Sequence, residues 1–218
     1  STFILGYRIL TPTLGAVLVV VAVVATVVGW RSRLAYLRRI VRESLPILLF
    51  AGALSAAAGV ALERSFEHFA AFPALLVLAP AHAASAGALG GILSGRLSTK
   101  LLLGLTQPSA APGREARRDI GLLVLVAFPI YVVNALGVSV AARVLDLRSP
   151  GLDQLMGVSL LAGGVSLFFV VAIAYYATIA ATRTGLDPDN YGIPAVTACM
   201  DFLGALALVT VIAVFGIR

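Results

Sequence analysis

The chain has 218 residues, of which 60% are hydrophobic and only 12% charged. A soluble domain carries roughly 25% charge, so the composition excludes a water-soluble enzyme or binding module and selects a protein that crosses a membrane several times. The formal net charge of +6 is then read loop by loop as topology, and no nucleic-acid partner is implied.

Six runs are nearly free of charge: 12–30, 45–62, 69–95, 120–142, 154–182 and 191–217. Each has the roughly 17–25 residues that cross about 30 Å of hydrocarbon. Their β-branched valines would favour strands in water. In a bilayer only helices or closed barrels satisfy the backbone, and runs this long without alternation are helices. The expected fold is all-α, a polytopic membrane protein with about six transmembrane helices. The bilayer itself is its first partner.

Arginine and lysine set the orientation. Arg31, Arg33, Arg38, Arg39, Arg42, Arg96, Lys100, Arg114, Arg117, Arg118 and Arg183 fall on one side. Arg8, Arg64, Arg143, Arg148 and Arg218 fall on the other. The loops after the first, third and fifth spans are therefore expected in the cytoplasm, with both termini outside a cell membrane. The basic segment 31–42 reads either as an amphipathic interfacial helix or as a plain connector. Residues 107–113, with two prolines and a glycine, read as a flexible loop, and 149–151 as an outer turn. Residues 1–44 form an extra N-terminal span with its connector, and 45–218 a five-helix domain. The chain begins at Ser1, and the first apolar run lacks the form of a secretory signal. Cys199 is the one cysteine and lies within a span.

The polar residues gather in the last span. Asp187, Asp189 and Asn190 precede it, and Asp201 stands inside it; no other run above contains an Asp or Glu. A carboxylate at a helix centre costs about 2.5–3.5 kcal/mol and faces a bundle interior or an aqueous path. Helical spacing stacks Asn190, Pro194, Thr197 and Asp201 on one stripe, with Asp201 about 15 Å in from Tyr191. Oxygen donors of this kind suit Mg²⁺, Ca²⁺, Mn²⁺ or a proton. The competing reading is an acid buried for packing, although no Lys or Arg lies deep in a span to pair with it. The Asp187–Asn190 group reads both as a cation attractor and as a helix cap, with Asp189 or Asn190 in the capping position. Pro194 frees backbone carbonyls.

Other polar groups have two readings each. In the third span Gly87, Gly91 and Gly95, with Ser85, Gly90 and Ser94 nearby, form either a helix-packing face or a pore wall. His82 is either a relay or an interhelical hydrogen-bonding group, and Asn134 is expected to join helices. Glu67 and His68 sit in a short outer loop. Tyr175 and Tyr176 face a neighbouring helix or an interface. No nucleophile elbow, HExxH, P-loop or Rossmann glycine pattern occurs, so no enzyme is expected.

The segment Leu186-Asp187-Pro188-Asp189-Asn190-Tyr191-Gly192-Ile193-Pro194, followed by Thr197 and Asp201, resembles the last-span signature of the MgtE-type magnesium transporters and their solute-carrier relatives. Pro73-Ala74-Leu75-Leu76, Gly87 to Gly91 and Ser94-Gly95-Arg96-Leu97-Ser98-Thr99 resemble the second signature of the same group. The resemblance implies a Mg²⁺-selective channel or transporter whose pore forms between two five-helix units, as a homodimer or as tandem halves. It places the ion-holding Asp at Asp201. The family's glycine signature commonly carries Gly-Asn where this chain has Gly87-Ala88, which leaves that contact to the partner unit. The added first span would restore a parallel arrangement of two odd-numbered units. The chain is then expected to be a second half or a pairing subunit.

Two alternatives stand beside Mg²⁺ transport. One is a non-conducting structural or regulatory subunit, in which Asn would serve in place of Asp201. The other is an organic-cation transporter, which would want an aromatic-lined cavity from a chain with a single tryptophan, Trp30.

Overall fold

The computed structural model describes residues 2–32, 34–64 and 72–216, except the side chains of 2–12, 35–37, 39, 43 and 64. Expectations for Arg33, Glu67, His68 and Arg218, and for the side chains of Arg8, Tyr36, Leu37, Arg39 and Arg64, lie outside the described residues. Among the described residues six helices follow one another: α1 (Thr2–Arg31), α2 (Ala35–Arg64), α3 (Ala74–Leu102), α4 (Arg114–Val144), α5 (Leu152–Arg183) and α6 (Pro188–Val214). All six are long and apolar enough to cross a membrane, and no strand occurs among the described residues. The chain is an all-α polytopic membrane protein.

Helices of 27–32 residues rise roughly 40–48 Å, against about 30 Å of hydrocarbon. They therefore continue by a turn or two into the headgroup layers. There charge is tolerated, and the backbone keeps its hydrogen bonds. Runs cut at the first charge miss these turns: α4 begins at Arg114 and not at 120, and α3 ends at Leu102 and not at 95.

The chain divides into two compact units, Ser1–Pro46 and Ile47–Arg218. In the first, Arg42 lies over the Trp30 ring, 5.1 Å from its centre, and Gly29 lets Val41 approach closely. The valines of α1 are exposed along its length, a surface suited to hydrocarbon. The basic segment 31–42 is neither a separate interfacial helix nor a plain connector. Arg31 ends α1, and from Ala35 the chain is already α2.

In the second unit α3 is central and packs against α4, α5 and α6, while α5 also packs on α4 and α6. One apolar cluster joins Leu75, Leu78, Val138, Leu155, Leu208 and Ile212. Another joins Leu89, Leu93, Leu123, Val170, Val196 and Met200. The glycines of α3 meet α6: a methyl group at Gly87 would lie 3.8 Å from Thr197, one at Gly91 would lie 3.7 Å from Ile193, and one at Gly90 would collide with Val196. Gly95 faces open space. From the other side, a methyl at Gly192 would stand 2.7 Å from the Ser94 hydroxyl, which is itself hydrogen-bonded to the Thr178 hydroxyl at 2.8 Å. The two sequence signatures are thus the two faces of one helix contact.

Local chemistry positions the start of α6. Gly185 adopts φ +71°, and the Leu186 and Gly185 amides donate to the carbonyls of Ala181 and Thr182, a left-handed glycine stop for α5. Asp187 is the cap, its carboxylate accepting from the Asp189 amide at 3.0 Å. This corrects the expectation of Asp189 or Asn190. Pro188, with φ preset and no N–H to satisfy, takes the first helical position and leaves the cap to the residue before it.

The packing face makes a graded prediction. Gly90→Val should lower stability by about 1–3 kcal/mol through overpacking against Val196, read as a lower melting temperature in detergent. Gly95→Ala, into open space, should be neutral or stabilising.

Candidate cation path

Along α6, Asn190, Pro194, Thr197 and Asp201 are all partly exposed, while the intervening Ala195, Val196, Ala198 and Met200 are buried. The stripe expected from spacing therefore lies along a partly exposed side of the helix, with Thr197 also against Gly87 of α3. Asp201 is at its centre, thirteen residues from either end of Pro188–Val214, roughly 20 Å from each. Its carboxylate accepts a hydrogen bond from the Ser55 hydroxyl of α2 at 2.9 Å. Sequence reasoning missed Ser55, because a serine in an Ala- and Gly-rich helix reads only as a small packing residue.

The other members are engaged locally. The Thr197 hydroxyl donates to the carbonyls of Ile193 and Pro194, both at 3.1 Å. Asn190 donates its side-chain amide to the Asp187 carboxylate at 3.3 Å, and Asp189 is exposed. Pro194 lacks the N–H that would bond the Asn190 carbonyl. Eleven residues separate Asn190 from Asp201, roughly 16 Å along the axis. The fold thus makes two groups, one at the start of α6 with Asp187, Asp189 and Asn190 and one at its middle with Asp201, and does not merge them. Among the described residues no three His, Cys, Asp or Glu side chains cluster.

The α3 candidates lie behind this stripe. Gly87 and Gly91 sit at the contact with α6. Ser85 turns to α4, accepting from the Asn134 side-chain amide at 2.8 Å, so Asn134 does join helices. His82 is fully buried, with Nε2 2.9 Å from the Ser166 hydroxyl of α5 and its ring 5.2 Å from that of Tyr131. This is the interhelical role. Ala88 is exposed on α3. Tyr175 is buried and donates to the Ser109 carbonyl at 2.9 Å, whereas Tyr176 is exposed.

A buried acid, Asp119, corrects the reading that Asp201 is the only acid within a span. Asp119, in the first turns of α4, is 3% exposed. Arg96 of α3 donates to it through Nε and a terminal nitrogen at 3.0 and 2.7 Å, and Lys100 stands 2.7 Å from its other oxygen. Lys100 also reaches Glu115 at 3.4 Å. A signal was present: cations at 96 and 100 and acids at 115 and 119 have matching four-residue spacing across one helical hairpin. This cluster ties α3 to α4 and is satisfied within the chain.

The MgtE family, a divalent cation transporter, matches residues 79–211. This chain belongs to the MgtE family. The match covers well over half of the chain and runs from the first turns of α3 to the last turns of α6, which includes Asp201 and its stripe. The chain is thus a multi-pass membrane protein with a divalent cation transport domain. Neither a curated protein nor a solved structure matches it.

Within this MgtE domain the ion cluster is structural. Asp119→Ala should cost about 2–3 kcal/mol, the scale of lost charge-assisted hydrogen bonds. Combined with Lys100→Met it should cost less than the sum of the two single changes, because the second removes the cation left unpaired. Thermal unfolding in detergent of the four proteins checks this.

Proposed function

We propose that the chain moves Mg²⁺ across the membrane along this stripe of α6, with Asp201 as the central contact. The observation that carries this reading is a carboxylate at the middle of a membrane-spanning helix, on its partly exposed side and held by a neutral hydroxyl. A neutral partner leaves its charge uncompensated, and an acid kept for packing would be expected beside a cation, as Asp119 is.

Mg²⁺ sheds water reluctantly and is held by one or two carboxylates plus water. Asp201 with carbonyl and hydroxyl oxygens along the stripe suits such a hydrated ion better than a dry cage does. The Asp187, Asp189 and Asn190 group would raise the local cation concentration at the mouth. Lysine and arginine support a cytoplasmic placement of that mouth. Arg96, Lys100, Arg114, Arg117, Arg118 and Arg183 lie at that end of the Ile47–Arg218 unit, whereas Arg143 and Arg148 lie at the other. A second homologous five-helix unit would face the stripe and close the path, with the exposed Ala88 face of α3 alongside. In this arrangement residues 45–218 form the transport domain.

The test is Mg²⁺ flux into proteoliposomes, wild type against Asp201→Asn, with folding checked by gel filtration. The account expects flux to fall about 10- to 100-fold, equivalent to roughly 1.4–2.8 kcal/mol, with the elution profile unchanged. Equal flux would move the ion contact elsewhere. Flux in neither would favour the non-conducting subunit. The conducting particle should contain two units, and a single-chain mass would contradict the pairing.

A further inference from the structure

We propose that the outer surface of α4 and α5 holds one anionic phospholipid, its phosphate at Arg114, Arg117 and Arg118 and an acyl chain in the groove beside them. Three features carry this, none of them part of the cation path.

The first is charge. Residues 114, 117 and 118 lie at helical spacings of three and four, hence on one face of α4, and they line a shared cavity of about 340 Å³. All three are exposed. The nearby acid, Glu115, is shared between Arg118 at 3.2 Å and Lys100 at 3.4 Å. Asp119 is already held by Arg96 and Lys100. Arg114 makes no hydrogen bond or ion pair among the described residues. The local balance is positive, and the guanidinium fork matches phosphate oxygens.

The second is the groove. About 380 Å³ of open space lies between Val124 of α4 and Leu167, Phe168, Val171 and Tyr176 of α5, closed at one end by Pro112. Its wall along α5 runs from Gly164 to Tyr176, roughly 18 Å. That is about one leaflet of the 30 Å hydrocarbon layer. Phe168 and Tyr176 are 70% and 57% exposed, so a hydrocarbon chain would cover surface that the protein leaves bare.

The third is the joint between them. Arg117 donates Nε to the Pro112 carbonyl at 3.0 Å, so the arginines begin where the groove ends. The loop carrying Pro112 is fixed there: Tyr175 donates to the Ser109 carbonyl at 2.9 Å, and Arg183 donates to that of Pro108 at 2.9 Å. A polar head at the arginines and a chain in the groove thus share one continuous site, at the membrane interface where basic residues attract anionic headgroups. A free phosphate would use only the first half of it.

The whole chain is purified with minimal detergent, exposed to equimolar phosphatidylglycerol and phosphatidylcholine, and the bound lipid is read by native mass spectrometry. The site predicts retention of one phosphatidylglycerol with a preference of about tenfold or more. Arg114→Gln with Arg117→Gln and Arg118→Gln should abolish the preference. Gly164→Phe, which points a ring into the groove and leaves the arginines intact, should abolish retention. Both variants are surface changes, and unchanged melting and gel filtration confirm the fold. Equal retention of the two lipids, or retention undiminished by either variant, overturns the proposal. Displacement of the lipid by inorganic phosphate alone also overturns it, since the site would then take a soluble anion.

Discussion

A carboxylate halfway along an apolar helix must find water, a partner or an ion, because hydrocarbon offers none. Asp201 meets this constraint on a partly exposed face of α6, with Ser55 of α2 as its hydrogen-bond donor. Much of the Ile47–Arg218 unit serves to hold that face in place. Glycines at 87, 90 and 91 bring α3 close behind α6, and Gly192 brings α6 onto the Ser94–Thr178 hydroxyl pair. Asp187 and Pro188 start the helix so that Asp201 falls at its middle.

The same unit contains a second solution to the same problem. Asp119 is more deeply buried than Asp201, yet its charge is balanced by Arg96 and Lys100 on the adjoining helix. The partners reveal the difference in role. A carboxylate surrounded by cations is a clasp between two helices. A carboxylate held by a neutral hydroxyl, on a face its own unit leaves partly uncovered, is the one proposed to meet a cation from outside. Membership in a divalent cation transporter family agrees with the second description.

Much of this was legible in the residues. Length without alternation identified six spans, and the Asp187–Pro194 segment with Thr197 and Asp201 identified the family. The spacing of Asn190, Pro194, Thr197 and Asp201 foretold a shared face. What escaped had physical causes. A span that ends at the first charge puts Asp119 in a loop, whereas it lies inside α4. Residue type alone allows the cap at Asp189 or Asn190, but the preference of Pro188 for the first helical position moves it to Asp187. Ser55 could not be found, because a hydrogen bond between residues 146 positions apart leaves no periodic trace. The glycine stripe suited packing and pore lining equally, and the fold places Gly87, Gly90 and Gly91 at the contact with α6.

The central claim is that the partly exposed face of α6 meets a hydrated cation. The most direct measurement is thiol accessibility in proteoliposomes, using Thr197→Cys in a Cys199→Ser background and a membrane-impermeant reagent. The account predicts that the new cysteine labels, and that millimolar Mg²⁺ slows the labelling, while a cysteine at lipid-facing Phe168 stays unreactive with or without Mg²⁺. A Thr197→Cys chain as unreactive as the Phe168 control, or labelling indifferent to Mg²⁺, would contradict a water-filled cation path along this helix.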